Sequence, residues 1–147
     1  MKEKIISERN VANINETQKF ANEIVSHFKL GDTVLFYGNL GSGKTFLINM
    51  FVKIMGNNLE ATSPSFSIIN QYVGEVFINH LDFYRLKNKQ ELFNLGLDDI
   101  FNMKSINFIE WPQIMEEKID WSHFRIYIEF DKKYESGRYI KLTKMII

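Results

Sequence analysis

The sequence contains no cysteine. Disulfides, thiolate zinc sites and cysteine nucleophiles are therefore excluded, and the chain is compatible with a reducing, cytosolic setting. Proline is scarce, with Pro64 and Pro112 the 2 in 147 residues. Net charge is absent too, since Lys and Arg total 18 and Asp and Glu total 18. Bulk charge thus gives no case for a general nucleic-acid or membrane binder. No apolar run approaches the roughly 18 residues of a membrane-crossing helix. Met1–Asn10 is charged and polar without an apolar stretch, so it does not read as a secretory signal. These absences predict a soluble, cytoplasmic protein.

What the chain does have is apolar material. Hydrophobic residues make up 45% and aromatics 14%, with 13 Phe, a composition of folded domains and not of disordered tails. A chain this long hides about 68–70% of the surface its unfolded form exposes. One domain over residues 1–147 is expected. The locally basic stretch from Lys132 to Lys144 has Asp131 and Glu135 mixed into it and reads as a solvated edge.

Periodicity gives the elements. Asn15 and Gln18 are spaced as a capping box, and Phe20, Ala21, Ile24, Val25 and Phe28 share a helical face that ends by Gly31. Thr33–Tyr37 reads as a buried strand, followed by a glycine-rich turn. A helix apolar on nearly every side then runs from about Thr45 to Met55 and closes at Gly56. Phe66–Val73 and Glu75–Leu81 predict a hairpin about Gly74. A helix is expected over Gln90–Phe101, interrupted by Gly96, and a short strand over Ile106–Ile109. A short helix after Pro112 and two strands, Arg125–Phe130 and Tyr139–Met145, complete the chain. The pattern predicts an α/β domain with a mixed central sheet flanked by helices.

Gly38-Asn39-Leu40-Gly41-Ser42-Gly43-Lys44-Thr45 matches G-x-x-x-x-G-K-[ST] in full, between a strand and a helix. Glycines let several backbone N–H groups turn inward around phosphate oxygens. The helix beginning near Thr45 adds its partial positive end. Lys44 supplies a charge for the β- and γ-phosphates, and the Thr45 hydroxyl can ligate magnesium.

Turnover needs more than this loop. Glu110 follows the apolar strand, where a Walker B acid sits, and can hold magnesium or polarise the attacking water. Asp82 ends the run His80-Leu81-Asp82 and reads either as a second metal or water ligand or as a cap. Thr62-Ser63-Pro64-Ser65-Phe66 occupies the position of a switch segment, or forms a plain Ser-Pro turn. His80 reads as a packed or hydrogen-bonded structural residue, Tyr84 and Arg85 as supports of the Asp82 loop or an exposed pair, and Trp111 as core or near-core packing first, with a nucleotide neighbour or a partner contact as the alternatives.

These motifs occur together in order: Gly-x-Leu-Gly-x-Gly-Lys-Thr, Thr-Ser-Pro-Ser-Phe, His-x-Asp-Phe-Tyr-Arg-Leu and Glu-Trp-Pro. The combination resembles the bacterial TsaE (YjeE) family of small P-loop ATPases over nearly the whole chain. The resemblance implies ATP and Mg2+ as cofactors, with weak ATPase activity alone. It also implies a role with the TsaB and TsaD proteins in forming threonylcarbamoyladenosine next to the tRNA anticodon. It assigns Lys44 to phosphate, Thr45 to magnesium, Thr62 to the switch, Asp82 to the His-x-Asp acid and Glu110 to the Walker B-type glutamate. Ser65 stands where Thr is usual and Ser42 where Ala is common. Two rivals share the scaffold, a small-molecule kinase and a nucleotide-gated module without turnover. The four arginines, Arg9, Arg85, Arg125 and Arg138, form no lid-like cluster, which weighs against a kinase; the paired acids weigh against a pure binder.

Overall fold

A computed structural model describes residues 1–56 and 68–147. Its elements run β1 (Lys2–Val11), α1 (Ile14–Ile24), β2 (Thr33–Tyr37), α2 (Lys44–Ile54), β3 (Ile69–Tyr72) and β4 (Ile78–Asp82). They continue with α3 (Lys89–Phe93), α4 (Leu97–Phe101), β5 (Ile106–Glu110), β6 (His123–Phe130) and β7 (Arg138–Ile146), with 3₁₀ turns at Val25–His27 and Pro112–Lys118. The strands form one mixed sheet in the order β1-β7-β6-β2-β5-β4-β3. β2 lies parallel to β5 and β6, and β4 parallel to β5; the remaining pairings, β3–β4, β6–β7 and β1–β7, are antiparallel.

The α/β architecture follows from which strands are apolar on both faces. β2 and β5 read Thr-Val-Leu-Phe-Tyr and Ile-Asn-Phe-Ile-Glu and are buried almost throughout, as central parallel strands are. One face packs against α1 and α2, where Phe28, Phe36, Phe51, Phe108 and Phe124 meet with ring centroids 5.2–6.3 Å apart. The other carries Leu35, Leu81 and Ile109, covered by Leu92 of α3, Ile100 of α4 and Met115 of the second 3₁₀ turn. α2 is buried at Leu47, Ile48, Met50, Phe51 and Val52, in keeping with its apolar sequence, although Phe46 stands half exposed.

Several local expectations shift. The helix cap is Asn13, whose side chain accepts the Glu16 N–H at 3.0 Å, while Glu16 accepts from the Ala12 N–H at 2.5 Å. The cap thus sits two residues earlier than the expected Asn15–Gln18 box, and Glu16 reaches back to the residue before the cap and not, as in a capping box, to the cap's own N–H. The hairpin between β3 and β4 turns over residues 73–77 and not at Gly74 alone. Gly96, with φ of 65°, divides α3 from α4 as expected of an interrupting glycine. The polar N-terminal segment is a ten-residue edge strand, β1, held by its ladder to β7 and by Glu3 accepting from Tyr127 at 2.5 Å and Thr143 at 2.8 Å. Its charges suit an edge that must not recruit another chain. No helix among the described residues is long and apolar enough to cross a membrane.

Candidate functional site

The glycine-rich loop leaves the C-terminal end of β2 and enters α2, so its backbone lies at the carboxyl edge of parallel strands, where α/β sheets bind ligands. Gly41 and Gly43 take φ of 78° and 109°, values that side-chain-bearing residues rarely adopt. Gly38 is required for space: a Cβ there would lie 2.5 Å from Ser42 Oγ and 2.7 Å from the Ile128 carbonyl oxygen. Arg138 steadies the loop from β7, its Nε donating to the Ser42 carbonyl at 2.9 Å.

Lys44 is nearly buried. Its ammonium donates to the Gly38 carbonyl at 2.5 Å and the Asn39 carbonyl at 3.3 Å, and lies 4.2 Å from the centroid of the Trp111 ring. Burial lowers its pKa below the ordinary lysine range, opposed by the charges of Glu110 and Asp82. Trp111 itself has φ of 54°, in the left-handed region, and is the sole non-glycine residue among those described with positive φ. Such a conformation is uncommon for a bulky side chain and marks a position its surroundings impose. It carries the ring from the end of β5 over Lys44 and against Tyr84, with ring centroids 4.9 Å apart.

The adjoining hydroxyl and carboxylate are joined directly. Thr45 Oγ1 lies 2.9 Å from both Glu110 Oε1 and Oε2 and donates to this carboxylate. Glu110 is 3% exposed, and His80 Nε2 approaches its Oε2 at 2.6 Å. Asp82 stands opposite Glu110 in the β4–β5 register. Its carboxylate accepts the Tyr84 N–H at 3.0 Å. Burial raises its pKa above the ordinary aspartate range; that N–H works against the rise and Glu110 adds to it.

Residues Leu40–Phe46, Asp82, Glu110 and Trp111 line one cleft of about 300 Å³. Of the expected site residues, the structure brings Gly41, Ser42, Gly43, Lys44, Thr45, Asp82 and Glu110 to this cleft together with Leu40, while Gly38 and Asn39 hold the Lys44 ammonium from behind. Thr62 and its switch-like segment lie outside the described residues. Arg138 was not anticipated and gave no local signal. His80 is packed and hydrogen-bonded as expected; that its partner is Glu110 was not foreseen, although His80 sits two residues before Asp82 and alternate strand residues share a face.

A strand, glycine loop and helix with a lysine and a threonine facing a carboxylate on the neighbouring parallel strand define a P-loop NTPase-like domain. The geometry and the comparisons agree. The chain belongs to the TsaE family: the family model "Threonylcarbamoyl adenosine biosynthesis protein TsaE" matches residues 11–140. A TsaE protein of Rickettsia felis is 38% identical over 106 residues, covering 71% of this chain and 61% of that protein. The chain thus spans less than two thirds of that relative. A TsaE protein of Bacillus subtilis is 32% identical over 118 residues, covering 80% and 73% respectively. Among solved structures, Bacillus subtilis YdiB superposes with a TM-score of 0.73 at 26% identity, over 97% of this chain and 85% of its own.

Proposed function

We propose that this chain binds ATP with magnesium on residues 38–45 and hydrolyses it in threonylcarbamoyladenosine formation on tRNA. The names of its relatives supply the pathway. The TsaB and TsaD proteins, which the motif resemblance implies, are its partners. The observation that carries the chemistry is the contact of Thr45 Oγ1 with Glu110 at 2.9 Å, beside the Lys44 ammonium.

The residues fit the nucleotide. Gly41 and Gly43 hold the loop at positive φ along the cleft wall, and the first turn of α2, with Lys44 and Thr45, lines the same cleft and brings its partial positive charge there. They also fit magnesium, which keeps several waters and binds through one or two protein oxygens plus phosphates. No cluster of three or more His, Cys, Asp or Glu suited to a self-contained metal cage occurs among the described residues. Thr45 and Glu110, with Asp82 on the adjacent strand, would hold the ion against the phosphates. A magnesium ion held there would supply charge neutralisation to the phosphates. Lys44 would orient the same phosphates, and the buried Glu110 carboxylate, which meets Thr45 and His80, would hold the ion or polarise the attacking water. The Trp111 ring lies against the Lys44 ammonium, a cation–π contact that adds to its placement.

Phosphate release from ATP, measured with and without TsaB, TsaD and tRNA, tests this reading. Turnover should be weak alone, rise with the partners and be lost in Glu110→Ala with nucleotide binding retained. Phosphate transferred to a small acceptor would establish a kinase. Binding without turnover under every condition would leave only a nucleotide-gated module.

A further inference from the structure

His80 is a fully buried titratable residue that neither lines the cleft nor binds phosphate. Strand alternation places His80 and Asp82 on the same face of β4 as Ile78, which joins the core cluster shared with α1 and α2. In the parallel register with β5, His80 lies opposite Phe108 and Asp82 opposite Glu110. From there the imidazole crosses to the glutamate, and the Nε2–Oε2 separation is 2.6 Å with side-chain exposures of 0% and 4%. The other ring nitrogen, Nδ1, has no hydrogen-bond partner among the described residues.

That asymmetry fixes the direction of the bond. A neutral imidazole carries one N–H and one bare nitrogen. With the proton on Nε2, the ring donates to the carboxylate and leaves only a lone pair unpaired in the core. The opposite tautomer would press a lone pair against the carboxylate and bury an unpaired N–H, a far costlier arrangement.

We infer that His80 is the positioning residue for Glu110, holding its carboxylate in the rotamer that faces Thr45. This rests on the reading of Glu110 as the carboxylate needed for turnover. Thr45 Oγ1 has one hydrogen and lies at the same distance, 2.9 Å, from both carboxylate oxygens. It therefore does not distinguish them. His80 does: it engages Oε2 alone and leaves Oε1 as the oxygen with acceptor capacity to spare. The donor is delivered from a strand paired on both sides, by β3 and β5, so it cannot drift as a loop residue could. Histidine suits the task because its rigid ring holds the donor at fixed reach.

The test compares His80→Gln, which returns an N–H donor near the Nε2 position, with His80→Met, which has similar length and no donor. Each is assayed for ATP affinity by calorimetry, for kcat in the presence of TsaB, TsaD and tRNA, and by crystallography for the Glu110 rotamer. His80→Met should retain ATP affinity, lose about 10–100-fold in kcat, the range for removing such an orienting partner, and show Glu110 displaced. His80→Gln should regain most of the rate. Equal kcat in the two variants, or a full-rate His80→Met with Glu110 unmoved, would reduce His80 to packing and overturn the inference. A wild-type crystal structure with Glu110 turned away from His80 would do the same even if neither variant folded. Loss of turnover in Glu110→Ala with none in His80→Met defeats this inference alone; a full-rate Glu110→Ala defeats the functional reading beneath it.

Discussion

Replacing Gly38 with alanine probes how closely the phosphate loop is built against the sheet. The new Cβ would meet Ser42 Oγ at 2.5 Å and the Ile128 carbonyl oxygen at 2.7 Å, both shorter than side-chain carbons tolerate. The two collisions differ in kind. Ser42 can rotate its hydroxyl away, but Ile128 lies in β6, paired to β2 and β7, so its carbonyl moves only if the strand or the loop moves. Overpacking of this type costs about 1–3 kcal/mol. For a domain near this size each kcal/mol is worth about 4 °C, so Tm should fall by roughly 4–12 °C. ATP affinity should fall as well, because the loop is the element free to shift. Adding Ser42→Ala removes the hydroxyl and leaves the carbonyl, so the double variant should recover only part of both losses. Thermal melts followed by circular dichroism, paired with calorimetric ATP titration, provide the readout. A Gly38→Ala protein with unchanged Tm and ATP affinity would refute the packing argument. Complete recovery in the double variant would show that only the hydroxyl mattered.

Phe108 is fully buried against Phe28, Phe36 and Phe51; Phe108→Ala should lower unfolding free energy by about 3–5 kcal/mol in a denaturant titration. Asn13→Ala removes the acceptor for the Glu16 N–H and should cost about 0.5–2 kcal/mol by the same measurement, whereas Asn15→Ala should cost little. Asp82 offers a pH test. Burial raises its pKa above the ordinary aspartate range, so the native state holds that proton more tightly than the unfolded chain, and stability drains away as pH climbs from the ordinary value through the raised one. Asp82→Asn should therefore be more stable than wild type at pH 7 and converge with it in acid, measured by melts across pH, while its ATP turnover falls.

Legibility in the sequence followed the range of the interactions. The phosphate loop was readable because its chemistry is local: eight consecutive residues carry the glycines, the lysine and the threonine. β2 was readable from its continuous apolar run, and it begins and ends where that run does. β1 was not, because an edge strand exposed along most of its length shows no apolar alternation; its Lys, Glu and Arg side chains showed only that Met1–Asn10 is charged and polar. The cap on α1 was placed two residues late because Asn13 and Asn15 each stand three residues before a Glu or Gln, and the backbone alone distinguishes them. Glu110 and Asp82 were each recognisable at a strand end. Their relation to His80 and Thr45 was not, since those contacts span 30 and 65 residues of chain and exist only once β4 and β5 pair beside the loop.

The central claim is that residues 38–45 hold the phosphates of ATP, and calorimetric titration of MgATP into wild-type protein and Lys44→Ala tests it most directly. Wild type should bind one ATP per chain, and Lys44→Ala, still folded by its melting curve, should lose that binding or weaken it severely. A Lys44→Ala protein that binds MgATP with wild-type affinity would contradict the account.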